Sequence, residues 1–175
     1  LNAREHELQA TYDNLLFSSN YDELTQLANR RHFLTELEIS IKNAIKNHNK
    51  IALLFIDLDQ FKNINDTLGH DVGDKLLQSV AFKLQEIVND FGIIGRLGGD
   101  EFVVLIEDIN NENVIEYLAI DIMTLFKDKF EVLDFNLSVS ASIGISIFPD
   151  NANTGLELLK QSDLAMYYAK ESGRN

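Results

Sequence analysis

The stretch RLGGDEFVVL, Arg96–Leu105, sets two glycines and two carboxylates side by side and follows them at once with apolar residues. Short apolar runs at 93–97 and 101–106 flank Gly98-Gly99-Asp100, which reads as a β-hairpin closed by a tight type I′ or II′ turn. The glycines explain the turn. Turn formation does not explain why Asp100 and Glu101 stand next to each other. Two readings stand: solvated acids on ordinary turn chemistry, or carboxylates that hold something.

A hairpin needs a sheet to join. IALLFI, residues 51–56, is a continuous aliphatic run and reads as a buried central strand. LSVSASIGISI, residues 137–147, alternates strictly: Val139, Ala141, Ile143, Ile145 and Ile147 share one face, with Ser and Gly on the other. Pro149 ends it. Helical spacing recurs between Arg30 and His48 (Phe33, Leu34, Leu37, Ile41, Ala44, Ile45) and again from Val72 to Val88. Two further helices are predicted over 113–127 and 154–171. The order α-β-α-β-β-α-β-α predicts an α+β fold, a central and mostly antiparallel sheet flanked by helices. Ahead of it, residues 1–20 read as a polar linker helix. Leu1, Leu8 and Leu15 repeat every seven residues, but Arg4 and Thr11 sit where a coiled-coil seam wants apolar groups. Coiled coil and plain connecting helix both fit.

Bulk composition narrows the function classes. A chain of 175 residues suits one domain with a sizeable core, here residues 21–175. With no cysteine, disulfides and cysteine-ligated zinc are excluded, and a reducing cytoplasmic setting is expected. The net charge of −13 repels nucleic-acid backbones, so no nucleic-acid polymer is expected as partner. A nucleotide is still compatible, because a metal ion can mediate between carboxylates and phosphates. No apolar run reaches membrane-span length and no signal peptide is visible, so no membrane contact is expected. The chain starts at Leu1 and reads as a piece of a longer protein, whose own membrane anchoring is left open.

Candidate chemistry clusters in three places. Asp57 ends the apolar strand, where a carboxylate is costly unless paired or bound to metal. The alternative, a helix N-cap, fits Asp59 better than Asp57. The D-x-D spacing is not a calcium loop, since Phe61 stands where an oxygen ligand belongs. If the hairpin pairs beside the Asp57 strand, Asp100 and Glu101 converge on it, as Mg²⁺ carboxylates do. In FKNINDTLGHDVGD, Lys62 is a cation, and Asn65 with Asp74 offers an amide and a carboxylate suited to reading guanine. His70 and Asp71 read equally as helix caps, the preferred reading for Asp71. Lys170 and Arg174 lie at a helix C-terminus, as dipole decoration or as phosphate contacts. P-loop, dinucleotide, zincin and serine-hydrolase motifs are absent from the sequence.

Four ordered motifs, YDELTQLANRRHF, DLDQFKNINDTLGHDVGD, RLGGDEF and SDLAMYYAKESGRN, together resemble the GGDEF family of diguanylate cyclases over about 22–175. The resemblance implies a fold like that of nucleotide cyclases and palm-domain polymerases. It implies a GTP substrate, Mg²⁺ with Mn²⁺ as a substitute, and condensation of two GTP into cyclic di-GMP and two pyrophosphates. Two protomers must face each other, so a homodimer and an upstream sensory domain are implied partners. By position, Asp57, the Leu58 carbonyl, Asp100 and Glu101 resemble the metal ligands, and Asp100 or Glu101 the base. Lys62 resembles the residue that stabilises transition-state charge. Asn65, His70 and Asp74 resemble the guanine contacts, and Lys170 and Arg174 the phosphate contacts. Asp74 favours GTP over ATP, because adenine has no N1–H. The implied alternative is a catalytically silent GTP-binding regulatory module. Two departures stand out. Gln26 replaces a usual glycine, with little effect expected on the chemistry. Asn89 and Gly92 replace the R-x-x-D pair of a product-inhibition site, so no feedback through that site is expected.

Overall fold

A computed structural model describes residues 2–173. In chain order its elements are α1 (Ala3–Asn20), α2 (Arg30–Asn47), β1 (Lys50–Leu58), α3 (Phe61–Leu68), α4 (His70–Val88), β2 (Gly92–Gly98), β3 (Glu101–Ile109), α5 (Asn113–Leu125), β4 (Phe130–Val132), β5 (Phe135–Leu137), β6 (Ala141–Phe148) and α6 (Gly155–Glu171). β1 is central. It pairs antiparallel with β3 on one side and β6 on the other, and β2 pairs outside β3, giving the order β2-β3-β1-β6.

The continuous apolar run of β1 follows from burial on both faces. Ala52, Leu54 and Ile56 join Phe102, Val104 and Ile106 of β3 beneath α4 and α5. Ile51, Leu53 and Phe55 join Val103 and Leu105 beneath α2 and α6. Each fully buried aliphatic side chain here contributes about 1.5–3 kcal/mol relative to exposure. α1 has no buried residue, and Leu8, Tyr12 and Leu15 stand exposed along it.

The fold class is as expected, but four local expectations are corrected. The helix over the Val72 pattern is preceded by a separate α3, because Gly69 adopts φ 96°, ψ 159°, which no helix continues. The alternating stretch 137–147 is not one strand. Residues 135–137 belong to a small separate hairpin with β4, and the sheet strand begins only at Ala141. Its faces also differ from the simple amphipathic reading. Ser142, Gly144 and Ser146 are buried, whereas Ile143, Ile145 and Ile147 are half-buried. The small side chains are what let α6 lie against the strand: a Cβ on Gly144 would stand 2.0 Å from the Ser162 carbonyl. Finally, Asp59, His70 and Asp71 are not caps. The N-caps of α3 and α4 are Gln60 and Gly69, neither with a side-chain cap bond. Asp71 lies exposed in the first turn of α4 instead, where its charge suits the helix dipole.

Gln26 occupies a left-handed conformation, φ 61°, in a tight loop closed by two 2.7 Å backbone bonds between Asp22 and residues 26 and 27. Glycine is the natural occupant of such a site, which gives that sequence departure a backbone meaning.

Candidate functional site

The strand register builds the acidic centre. Asp57, second to last in β1, lies directly opposite Glu101 of β3 and Ser142 of β6. Directly opposed residues of an antiparallel pair share a face, so Asp57 and Glu101 project together. The Leu58 N–H donates to the Asp100 carbonyl at 3.4 Å, tying the strand end to the hairpin tip. Gly98 and Gly99 take φ 148° and 50°, and a Cβ on either would meet nothing within 4 Å, so the tip is open to a bulky ligand.

Charge is concentrated here. The Asp57 side chain is only 14% exposed, and its Oδ2 forms an ion pair with Lys170 Nζ of α6 at 2.9 Å. Its other oxygen, Oδ1, is buried without a hydrogen-bond partner. Asp100 is pushed up to about 7, first by burial and then by the hydrogen bonding and charge of Asp57, against the pull of Lys170. Glu101 is also raised, by burial first, then by the charges of Asp57 and Asp163, with Arg30 and Lys170 opposing. Carboxylates crowded this way, one with an orphaned buried oxygen, fit a hard divalent cation that would relieve their repulsion. Among the described residues no three Asp, Glu, His or Cys side chains form a ready-made cage.

A second group lies where α3 meets α4. Asn65 packs so closely on Gly73 that a Cβ there would fall 1.8 Å from Asn65 Oδ1. That oxygen is buried and unpartnered. His70 and Asp74 are exposed on the first turns of α4, and Lys62 is exposed on the first turn of α3. The structure thus brings Asp57, Asp100, Glu101 and Lys170 into one cluster and sets Asn65 against the start of α4. Arg174 lies outside the described residues.

Three features went unread in the sequence. Arg96 donates from Nη1 to both oxygens of Asp22 at 3.0 Å and from Nε to the Gly99 carbonyl at 2.9 Å, bracing the turn that carries Asp100. Burial alone would raise Asp22, but hydrogen bonds from the Thr25 hydroxyl and N–H, together with Arg96, hold it below the ordinary carboxylate range. Asp59 is buried and accepts from the Ser140 hydroxyl at 2.6 Å and the Ser142 hydroxyl at 2.8 Å. Arg30 and Asp163 act on Glu101 through their charge. Only the Asp22-x-x-Thr25 spacing carried a local signal, an Asx-type turn.

Comparison with known proteins follows the same lines. The family profile described as diguanylate cyclase, GGDEF domain, matches residues 19–175. The signaling protein YkoW of Bacillus subtilis is 44% identical over 158 residues, covering 90% of this chain and 20% of its own length. The bifunctional diguanylate cyclase/cyclic di-GMP phosphodiesterase MucR of Pseudomonas aeruginosa is 41% identical, covering 89% and 22%. The chain therefore spans about a fifth of either relative. The solved GGDEF domain of TpbB from Pseudomonas aeruginosa superposes with a TM-score of 0.85 at 36% identity, covering 88% of this chain and 90% of that one.

Proposed function

Because the chain belongs to the GGDEF family, we propose that it is a diguanylate cyclase, condensing two GTP into cyclic di-GMP with release of two pyrophosphates. One observation carries the reading. Asp57 keeps a buried, unpartnered oxygen while it is pressed against Asp100 and faced by Lys170, a charge arrangement of little structural use but suited to Mg²⁺ and phosphate.

Asp57, the Leu58 carbonyl and Asp100 or Glu101 would hold Mg²⁺, with Mn²⁺ as a substitute. When bound, the ion offsets phosphate charge and polarises the reacting phosphate. The protein's own groups do the rest. The Asn65 side-chain oxygen accepts from the guanine edge, and the Asp74 carboxylate accepts from N1–H, which selects GTP over ATP. His70 flanks the base. Lys170, freed from Asp57, meets phosphate oxygens, with Arg174 beside it. Lys62 lies at the start of α3 to meet charge on the transferring phosphate. Asp100 or Glu101 takes the proton of the attacking 3′-hydroxyl. Raised carboxylates are the better bases near neutral pH.

One domain holds one GTP, so turnover requires a second protomer facing the first. The parent protein supplies an upstream sensory domain, and the domain works in the cytoplasm. No described helix is long and apolar enough to cross a membrane. Asn89 and Gly92 lack the charges of the family's feedback pair, so product does not inhibit through that site.

The test is incubation with GTP and Mg²⁺ at high protein concentration, scored for cyclic di-GMP and pyrophosphate. Wild type yields both, and Asp57→Asn yields neither. If GTP binds but no product forms at any protein concentration, the domain is a silent GTP-binding module and the proposal fails. Added cyclic di-GMP at low micromolar levels leaves turnover unchanged. Inhibition that Asn89→Ala abolishes would overturn the feedback claim.

A further inference from the structure

The metal-side and base-side groups of this site hang from one short corner. β1 ends at Leu58, α3 begins at Phe61, and between them Gln60 takes the left-handed conformation, φ 57°. Asp57 and Leu58 lie just before the corner, Lys62 and Asn65 just after it. Backbone at such a site does not hold its own direction, because a non-glycine residue in this region is disfavoured by about 1 kcal/mol or more. Something outside the corner has to fix it.

Asp59 is the group in position to do so. Its residue is 5% exposed, yet it caps no helix. Both carboxylate oxygens accept hydroxyl hydrogens, Oδ2 from Ser140 at 2.6 Å and Oδ1 from Ser142 at 2.8 Å. Its backbone N–H donates to the Ser140 carbonyl at 2.9 Å. Ser142 lies on β6 directly opposite Asp57, and Ala141 opposite Leu58. The clamp therefore joins the corner to the edge strand at the level of the metal-side residues. Burying a carboxylate is costly unless it is fully hydrogen-bonded. Here the cost is met by two hydroxyls, Ser140 in the irregular stretch 138–140 and Ser142 on β6. A packing role alone would be filled more cheaply by an apolar side chain.

We propose that Asp59, through the Ser140 and Ser142 hydroxyls, is the positioning residue that holds Asp57 and the Leu58 carbonyl in register for the divalent cation. This rests on the cyclase reading above. Groups that orient metal ligands without touching the metal typically cost 10- to 100-fold in metal affinity or activity when removed. Asp59→Ala frees the corner. Asp59→Asn keeps it, because a serine hydroxyl can donate to the amide oxygen and accept from the amide nitrogen. Ser140→Ala/Ser142→Ala removes the donors and leaves the carboxylate.

The experiment titrates Mn²⁺ by electron paramagnetic resonance into the full chain with a non-hydrolysable GTP analogue, beside kcat and KM for GTP at saturating Mg²⁺. Circular dichroism confirms that each variant is folded. For Asp59→Ala and for the double serine variant, Mn²⁺ affinity falls at least tenfold and kcat falls comparably, with KM for GTP within threefold. Asp59→Asn recovers Mn²⁺ affinity to within about threefold of wild type. A merely structural role would lower the melting temperature and leave Mn²⁺ affinity of the folded protein alone. If Asp59→Ala fails to fold, the serine variant and Asp59→Asn decide. Mn²⁺ affinity within twofold of wild type in the serine variant overturns the proposal, whether or not the wild type turns over GTP. An active wild type with unaltered variants sinks this inference only. A wild type that neither binds Mn²⁺ nor makes cyclic di-GMP sinks the cyclase reading and this inference with it.

Discussion

Gly144→Ala adds one methyl group where the fold has no room for it. The new Cβ would stand 2.0 Å from the Ser162 carbonyl oxygen and 2.2 Å from the Met166 nitrogen, both backbone atoms of α6. Carbon needs roughly 3.5 Å from such neighbours. No rotamer change relieves a backbone clash, so α6 must retreat from β6 by on the order of 1 Å, in an interior packed as densely as an organic crystal. Overpacking of this kind costs about 1–3 kcal/mol, and the upper end applies because both colliding atoms are main chain. The retreat also stretches the 2.7 Å bond from the Ser146 hydroxyl to the Leu158 carbonyl, adding about 1 kcal/mol. For a domain of this size each kcal/mol moves the melting temperature by about 2–4 °C, so a fall of about 10 °C is expected. Thermal unfolding followed by circular dichroism, without nucleotide, measures it. Activity adds a second readout. α6 carries Lys170, 2.9 Å from Asp57, and a displacement of α6 by about 1 Å shifts this cation away from the acidic centre and the phosphate it would meet there. Turnover by the folded protein therefore falls by about 100-fold, well below wild type at the same temperature. Gly98→Ala serves as a contrast, since its Cβ would enter open space and its penalty is confined to the positive φ. A melting temperature for Gly144→Ala within about 2 °C of wild type would refute the packing argument.

The remaining predictions concern ionisation and backbone conformation. Asp100 ionises near pH 7 in the folded protein against 3.8 for a free carboxyl, so the folded state holds its proton more tightly than the unfolded chain. This contribution to stability is fully present below about pH 4 and is lost as pH rises through about 7. Without divalent ion, the melting temperature of Asp100→Asn relative to wild type should thus climb between pH 4 and pH 8, and a gap independent of pH would contradict it. Gln26→Gly should raise stability by a few tenths of a kcal/mol to about 1 kcal/mol, the left-handed strain relieved exceeding the extra chain entropy. Urea denaturation measures this, and a lower midpoint with unchanged slope would rule it out.

Much of the molecule is written locally in its sequence. β1 announces itself because burial on both faces demands an unbroken apolar run, and the hairpin does so because its turn requires glycine. Once those two elements are paired, Asp57 and Glu101 must share a face, since strand register leaves no alternative. What the sequence could not disclose is which polar groups find each other across the chain. Asp59 looked like a helix cap because a short polar residue before a helix usually is one. Its partners lie 81 and 83 residues away, and only the packing of β6 against β1 delivers them. Arg96 and Asp22, 74 residues apart, meet because the loop ahead of α2 bridges to β2 through Ala28 and Gly95. The alternation in β6 marked two faces without saying which is covered; the Ser and Gly side is the more buried one, because α6 needs small residues to approach the strand. Periodicity records that a strand has two faces. Which face is covered, and by what, depends on the third dimension, because a buried polar group is satisfied by whatever the fold places opposite it.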